Sequence, residues 1–73
     1  MFRMIREVVG QTQFRPFTIV MDDGEHITVA NREFIIALPG FEMILLDRPG
    51  DKDVRVLDPG HVKELLREDG QAA

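Results

Sequence analysis

The stretch "FRPFTIVMDDGEHITV", residues 14–29, alternates apolar and polar residues, breaks at Asp22-Asp23-Gly24, and alternates again. Alternation of period two marks a half-buried strand, so the pattern predicts two antiparallel strands joined by a tight turn. The first is Phe17 to Met21, with Phe17, Ile19 and Met21 on one face. The second is His26 to Ala30, with Ile27 and Val29 on one face. Register decides the turn. A two-residue Asp23-Gly24 loop would oppose Val20 with Ile27 and Asp22 with Glu25. That arrangement brings two carboxylates together and puts the apolar sets on opposite faces. A three-residue Asp22-Asp23-Gly24 loop instead pairs Met21 with Glu25, Ile19 with Ile27 and Phe17 with Val29. All five apolar side chains then share a face, and Gly24 takes the left-handed position such loops favour for glycine. A one-residue slip would flip every side chain, so the apolar pattern selects the three-residue loop.

Beyond the hairpin, Glu33 to Leu38 reads as a third strand and Met43 to Asp47 as a fourth, joined through Pro39-Gly40 with Phe41 and Glu42. "FIIAL" and "MILL" are apolar on both faces. In such strands one face meets the core and the other meets a helix, a second layer or a partner. Arg48-Pro49-Gly50-Asp51-Lys52 suits a type II turn. Asp53 to Leu57 follows as a fifth strand, with Leu46 expected opposite Val54 and Ile44 opposite Val56. At the N-terminus, Phe2, Ile5 and Val9 recur at helical spacing over residues 2–9, and Gly10 suits a left-handed helix end. Residues 58–68 read as a second helix, capped by Asp58, opened by Pro59, with Val62, Leu65 and Leu66 as its stripe. A turn at Asp58-Pro59-Gly60 followed by an edge strand, Val62 to Leu66, competes with it. Residues 69–73 should fray.

These elements define a mostly β (α+β) chain with a single small domain over residues 1–68. The expected fold is a five-stranded antiparallel sheet curled toward an SH3-like or Sm-like barrel. An N-terminal helix covers one opening, and a short C-terminal helix or turn closes the chain. An open meander with both helices on one face is the alternative.

Several chemistries lack their parts. The chain has no cysteine, which removes thiolate zinc sites and disulfides and fits a reducing cytoplasm. It has no serine, and Thr12, Thr18 and Thr28 are its only hydroxyls, so nucleophilic catalysis has no obvious nucleophile. Asp22, Asp23, Glu25 and His26 carry cation-ligating atoms, but their spacing is not that of a calcium loop, and Asp and Gly dominate turns for backbone reasons. No phosphate-cradling or dinucleotide motif is present. The expectation is therefore no enzyme, no metal and no cofactor. No apolar run approaches the ~20 residues of a membrane helix, and no signal peptide is visible. The net charge of −4 opposes binding to phosphate backbones. Residues 1–15 are the exception, carrying Arg3, Arg6 and Arg15 against Glu7. Those arginines, with Phe14 beside Arg15, are the candidate contacts of an RNA- or DNA-binding small barrel.

At "FRPFTIVMDDGEHITVANREFIIALPG" the chain resembles a family of short bacterial proteins of the planctomycete type. Their shared pattern is Phe-Arg-Pro-Phe, an alternating strand, Asp-Gly, a second strand, and Glu-Phe before a third. Phe14, Arg15, Pro16 and Phe17 match its first element, Asp23 and Gly24 the turn, and Glu33 and Phe34 the third. Many members carry His-Pro where this chain has Asn31-Arg32, and their C-terminus is more strand-like. The resemblance implies a compact, mostly β unit and supplies no catalytic residues.

The expected role is a non-catalytic protein-interaction module that self-associates. A core this small rarely supplies more than ~3–5 kcal/mol without a staple, and no disulfide is possible. With Ile44 and Leu46 facing the core, Met43 and Leu45 form a surplus apolar face. Met43, Leu45, Ile35 and Ala37 are the expected interface residues of a homo-oligomer.

Overall fold

The Asp22-Asp23-Gly24 turn forms as the apolar pattern predicts. In the computed structural model, which describes residues 1–40, 43–47, 53–68 and 71, Phe17 lies opposite Val29 and Ile19 opposite Ile27. The Met21 amide donates to the Glu25 carbonyl at 2.9 Å, and the Gly24 amide donates to the Met21 carbonyl at 2.9 Å. Gly24 has φ of 90°, a conformation that glycine reaches without strain. Asp23 Oδ1 accepts from the Glu25 amide at 2.9 Å, which closes the turn on itself.

The elements in chain order are α1 (Phe2–Val9), β1 (Phe17–Met21), β2 (His26–Val29), β3 (Ile35–Leu38), β4 (Met43–Leu46), β5 (Arg55–Leu57) and β6 (Val62–Arg67). Two 3-10 turns, Arg32–Phe34 and Pro59–His61, precede β3 and β6. The strands form two antiparallel three-stranded sheets, ordered β2-β1-β6 and β3-β4-β5. The fold is thus mostly β with one N-terminal helix. Two expectations are corrected: the described strands number six rather than five, and they make two sheets rather than a closed barrel.

The sixth strand takes the place of the C-terminal helix over 58–68 and agrees with the competing reading, a turn followed by an edge strand from Val62, which here runs to Arg67. Asp58 does cap a turn, since its Oδ1 accepts from the Gly60 amide at 2.8 Å, but the turn lasts only through His61. From Val62 the backbone pairs with β1 instead. Ile19 lies opposite Leu65 and Val20 opposite Glu64, yet Met21 lies opposite Val62, so Lys63 is an extra residue on β6. This bulge explains the mistaken periodicity. Val62 and Leu65 stand three apart, which reads as helical, but one inserted residue turns both to the same face of a strand. Both are buried, at 8% and 2% exposure.

The fifth strand is shorter than expected and shifted by one residue. Leu46 faces Arg55, Leu45 faces Val56 and Ile44 faces Leu57. The shift places Leu57 in the core, 3% exposed, and leaves Val54 and Val56 half-exposed. It also turns Arg55 to the inner side opposite Leu46, where its guanidinium reaches Glu25 of the first hairpin. The 48–52 turn and Phe41-Glu42 lie outside the described residues. Glu33 and Phe34, expected to begin the third strand, belong to the 3-10 turn that leads into it.

The inner faces of the two sheets meet in one core with Phe17, Ile19, Ile27, Ile44 and Leu46 nearly inaccessible. α1 adds Ile5, which is fully buried, and packs against β3, with Phe2, Val8 and Val9 around it. Its C-terminus is not the left-handed glycine that the sequence suggests, because Gly10 has φ of −84°. Arg32 serves the exposed carbonyls instead. Its Nε donates to the Val9 carbonyl at 3.0 Å and its guanidinium also reaches the Gln11 carbonyl. Near the C-terminus the Arg67 amide donates to the Gln71 carbonyl at 2.7 Å. The rest of the expected frayed tail lies outside the described residues.

Candidate functional site

The β3-β4-β5 sheet carries an apolar outer face. Register places its side chains. Ile36 lies opposite Leu45, and Leu45 lies opposite Val56, so the three form one row across all three strands. Leu38 and Met43 oppose each other in the next row. Ile36 is 54% exposed, Val56 52% and Met43 37%, while Leu38 and Leu45 are half-buried by their neighbours. Val54, at 52% exposure, leads into β5 beside this face. None of the five face residues is polar or charged. β3 and β4 are apolar on their inner faces as well, which is why the alternation expected of a sheet with one solvated side is missing there, while β5 turns Arg55 and Leu57 to the inner side.

Two of the four expected interface residues are therefore displaced. Met43 and Leu45 sit on the outer face. Ile35 lies opposite Leu46 and is 3% exposed, and Ala37 lies opposite Ile44 and is half-buried. Both belong to the inner face. The pairing of β3 with β4 puts residues 35, 37, 44 and 46 on one side, so Ile36, Leu38 and Val56 accompany Met43 and Leu45 on the other. The sequence signal that could have found them was the turn at Pro39-Gly40, whose length sets this register.

The acidic turn after β1 is organised by contacts within the chain. The Arg55 guanidinium donates to both oxygens of Glu25 at 2.5 Å, in a bidentate pair that ties the β1-β2 turn to β5 in the other sheet. The hydrogen bond to Glu25 raises the pKa of Arg55, against a smaller opposing effect of burial; the charges of Glu25 and Asp23 add to the rise. The His61 carbonyl accepts from the Asp22 amide at 2.8 Å. Its Nδ1 lies 3.6 Å from Asp22 Oδ2 and its Nε2 3.9 Å from Asp58 Oδ2. Asp22, Asp23, Glu25, Arg55 and His61 line a cleft of about 170 Å³. His26, grouped with the acids in sequence, is exposed on β2 and does not line it. Among the described residues no group of three or more His, Cys, Asp or Glu is placed to hold a metal. The sequence contains no local sign of the Glu25–Arg55 or Asp22–His61 contacts, which join residues far apart in the chain.

The candidate nucleic-acid contacts are dispersed among different tasks. Arg3 Nε lies 3.6 Å from Glu7 Oε1 on the surface of α1. The Arg6 guanidinium sits over the Phe2 ring, 6.0 Å from its centroid. Arg15 lines an open cleft of about 290 Å³ with Val8, Gln11, Pro16, Phe17, Arg67 and Glu68. Phe14 is half-buried, edge-on to Phe17 at 6.0 Å, and its ring carries the Arg32 guanidinium at 5.8 Å. It is occupied as a core-edge ring and not free to stack on a base.

No described helix is long and apolar enough to cross a membrane. No protein-family model, curated protein or solved structure matches the chain.

Proposed function

We propose that the chain is a non-catalytic protein-interaction module, self-associating, whose contact surface is the outer face of β3-β4-β5. The observation that carries this is the uncharged row Ile36, Leu45 and Val56, flanked by Leu38 and Met43, with half of Ile36 and Val56 open to solvent. Exposed apolar patches of this kind mark association sites, because covering them removes apolar surface from water at about 25 cal/mol per Å². The hairpin acids support the same reading from the other side. Asp23 holds its own turn and Glu25 holds Arg55, so their oxygens serve the fold. The test is a photo-crosslinking amino acid placed at Leu45 or, as control, at Glu64, in cells that produce the chain. Adducts from position 45 and not from 64 are expected. Equal yields from both positions overturn the reading.

The second reading, an RNA or DNA contact through Arg3, Arg6 and Arg15, has one supporting observation. Arg15 shares its cleft with a further arginine, Arg67. Steeply salt-dependent retention on heparin, lost in Arg15→Ala, would favour it.

A further inference from the structure

We propose that the free edge of β2, with the cleft beside it, binds an extended peptide segment of another protein as an added strand. The segment carries apolar residues at alternate positions and a lysine or arginine that meets Asp47. The site is separate from the outer face of β3-β4-β5, because it shares none of that face's five residues.

The direction of the backbone groups comes first. The Met21 amide donates to the Glu25 carbonyl across the hairpin. Bonded pairs recur at every second position of an antiparallel ladder, so the pairs Ile19–Ile27 and Phe17–Val29 exchange the bonds between β1 and β2. The N–H and C=O groups of His26 and Thr28 therefore point away from β1. Among the described residues they have no partner. The same alternation on the far side of β1 turns the Arg67 amide outward, and there the chain uses it, on the Gln71 carbonyl.

The other strand edges are blunted. β6 has its bulge, the charges of Lys63, Glu64 and Arg67, and the Gln71 contact. α1 packs against β3, and β5 has only three residues. Such devices keep an edge from templating a further strand. β2 has no lysine, no proline and no bulge.

Beside this edge lies a cleft of about 320 Å³, lined by Ile27, Thr28, Val29 and Ala30 and by Phe34, Leu46 and Asp47 from the other sheet's side. A residue of an added strand opposite Ile27 or Val29 shares their inner side, so its side chain enters the cleft. The lining is apolar except for Thr28 and Asp47. Asp47 is exposed, and its carboxylate has no hydrogen bond or ion pair among the described residues. That carboxylate, on a chain of net charge −4, selects a cation on the segment.

The occupant follows from these features. In strand addition, main-chain bonds hold the segment and alternate side chains give selectivity. The β2 strand of a second copy does not fit. Its Ile27 and Val29 are packed in their own core, 1% and 2% exposed, and the strand has no lysine or arginine for Asp47. A segment without fixed structure has its side chains free to enter the cleft, and it orders on binding, which keeps the affinity modest.

Panning a phage library of random peptides on the immobilised chain tests this. The enriched sequences should share alternate apolar residues and a lysine or arginine. A synthetic peptide of the winning sequence should slow hydrogen exchange at the His26 and Thr28 amides on the order of tenfold or more, while Ile27 and Val29 are already protected in the free chain. His26→Pro removes an outward amide at the first strand position, where proline fits, and should weaken binding about tenfold or more, with circular dichroism confirming the fold. Asp47→Lys should lose the basic peptide and gain its counterpart with glutamate in place of the basic residue. Ile36→Thr, on the outer face of the other sheet, should leave the peptide bound. A library that yields no enriched peptide overturns the proposal. So does a peptide that leaves the His26 and Thr28 amides unchanged, or that ignores Asp47→Lys. Binding lost in Ile36→Thr would place the peptide on the outer face, so the edge site would fall while the interaction-module reading stood.

Discussion

On the outer surface of β2-β1-β6, the row across the sheet is Thr28, Thr18 and Leu66, and the two hydroxyls lie 3.2 Å apart. At the corresponding place on β3-β4-β5 the row is Ile36, Leu45 and Val56. The inner rows of the two sheets are alike, Ile27, Ile19 and Leu65 in one and Ala37, Ile44 and Leu57 in the other. Both sheets therefore contribute to the core in the same way, and only the second is apolar outside too. Folding of one chain requires the inner rows. It does not require an apolar outer row, as the first sheet demonstrates with threonine. The apolar character of the second outer face calls for a cause beyond the monomer, and association is that cause in the reading proposed above.

The likeness of the inner rows is tested by the largest effect. Ile19 and Ile44 are both 0% exposed and sit at the centres of their sheets. Ile19→Ala and Ile44→Ala should each cost about 2–5 kcal/mol in urea unfolding, because each removes apolar volume from a packed site and leaves a cavity. The two losses should agree within about 1 kcal/mol, inside the spread that such sites show. If Ile44→Ala were much the milder, the second sheet would be a loosely attached layer, and the symmetry between the inner faces would break.

The turns within the two sheets separate next. Gly24 has φ of 90°, and a Cβ added there would meet nothing within 4 Å. The penalty for Gly24→Val is thus purely conformational and should be about 2 kcal/mol, since a β-branched residue tolerates positive φ poorly. Gly40, in the turn after β3, also has open space around its Cβ position and no positive φ. Gly40→Ala should stay within about 0.5 kcal/mol of the parent or stabilise slightly. Thermal melts of both variants check the contrast. A large loss at Gly40 would mean that both turns depend on glycine geometry.

The same contrast shows what could be read from the chain. The first hairpin was legible because alternation, a turn signal and a register argument all agreed on one arrangement, and the structure has that arrangement. The doubly apolar strands were legible as such, but not the side of the sheet each residue takes, because "FIIAL" and "MILL" look the same after a one-residue shift. Ile35 and Ala37 were misplaced for that reason. Residues 58–68 carry both a helix reading and a competing edge strand, Val62 to Leu66, because a bulge at Lys63 reproduces helical spacing over three residues. The Arg32 bonds to the end of α1 and the Arg55–Glu25 pair were invisible, since each joins segments that only the folded chain brings together. Gly10 does end α1, with its amide on the Arg6 carbonyl, but without the left-handed geometry, and Arg32, more than twenty residues later, bonds the Val9 carbonyl.

The smallest expected change in stability bears most directly on the comparison. Ile36→Thr converts one outer residue of the second sheet to the type that the first sheet uses at Thr28 and Thr18. Threonine keeps the β-branch that suits a strand, and half of the Ile36 side chain is already in water. Measured at low concentration, where the chain is monomeric, unfolding should change by no more than about 0.5 kcal/mol, as for other surface substitutions. The melting temperature of the parent should rise with protein concentration, because a dimer that forms only from folded chains stabilises them by mass action. In Ile36→Thr that rise should flatten. The two readouts separate the roles that one face could have. A loss of several kcal/mol at low concentration would make Ile36 part of the monomer's own core, and the difference between the outer faces would have a folding explanation. Unchanged stability with an unchanged concentration dependence would leave the apolar row without a partner on this face. Unchanged stability with a flattened dependence is the outcome that follows from two sheets sharing one core while only the second meets another chain on its outer face.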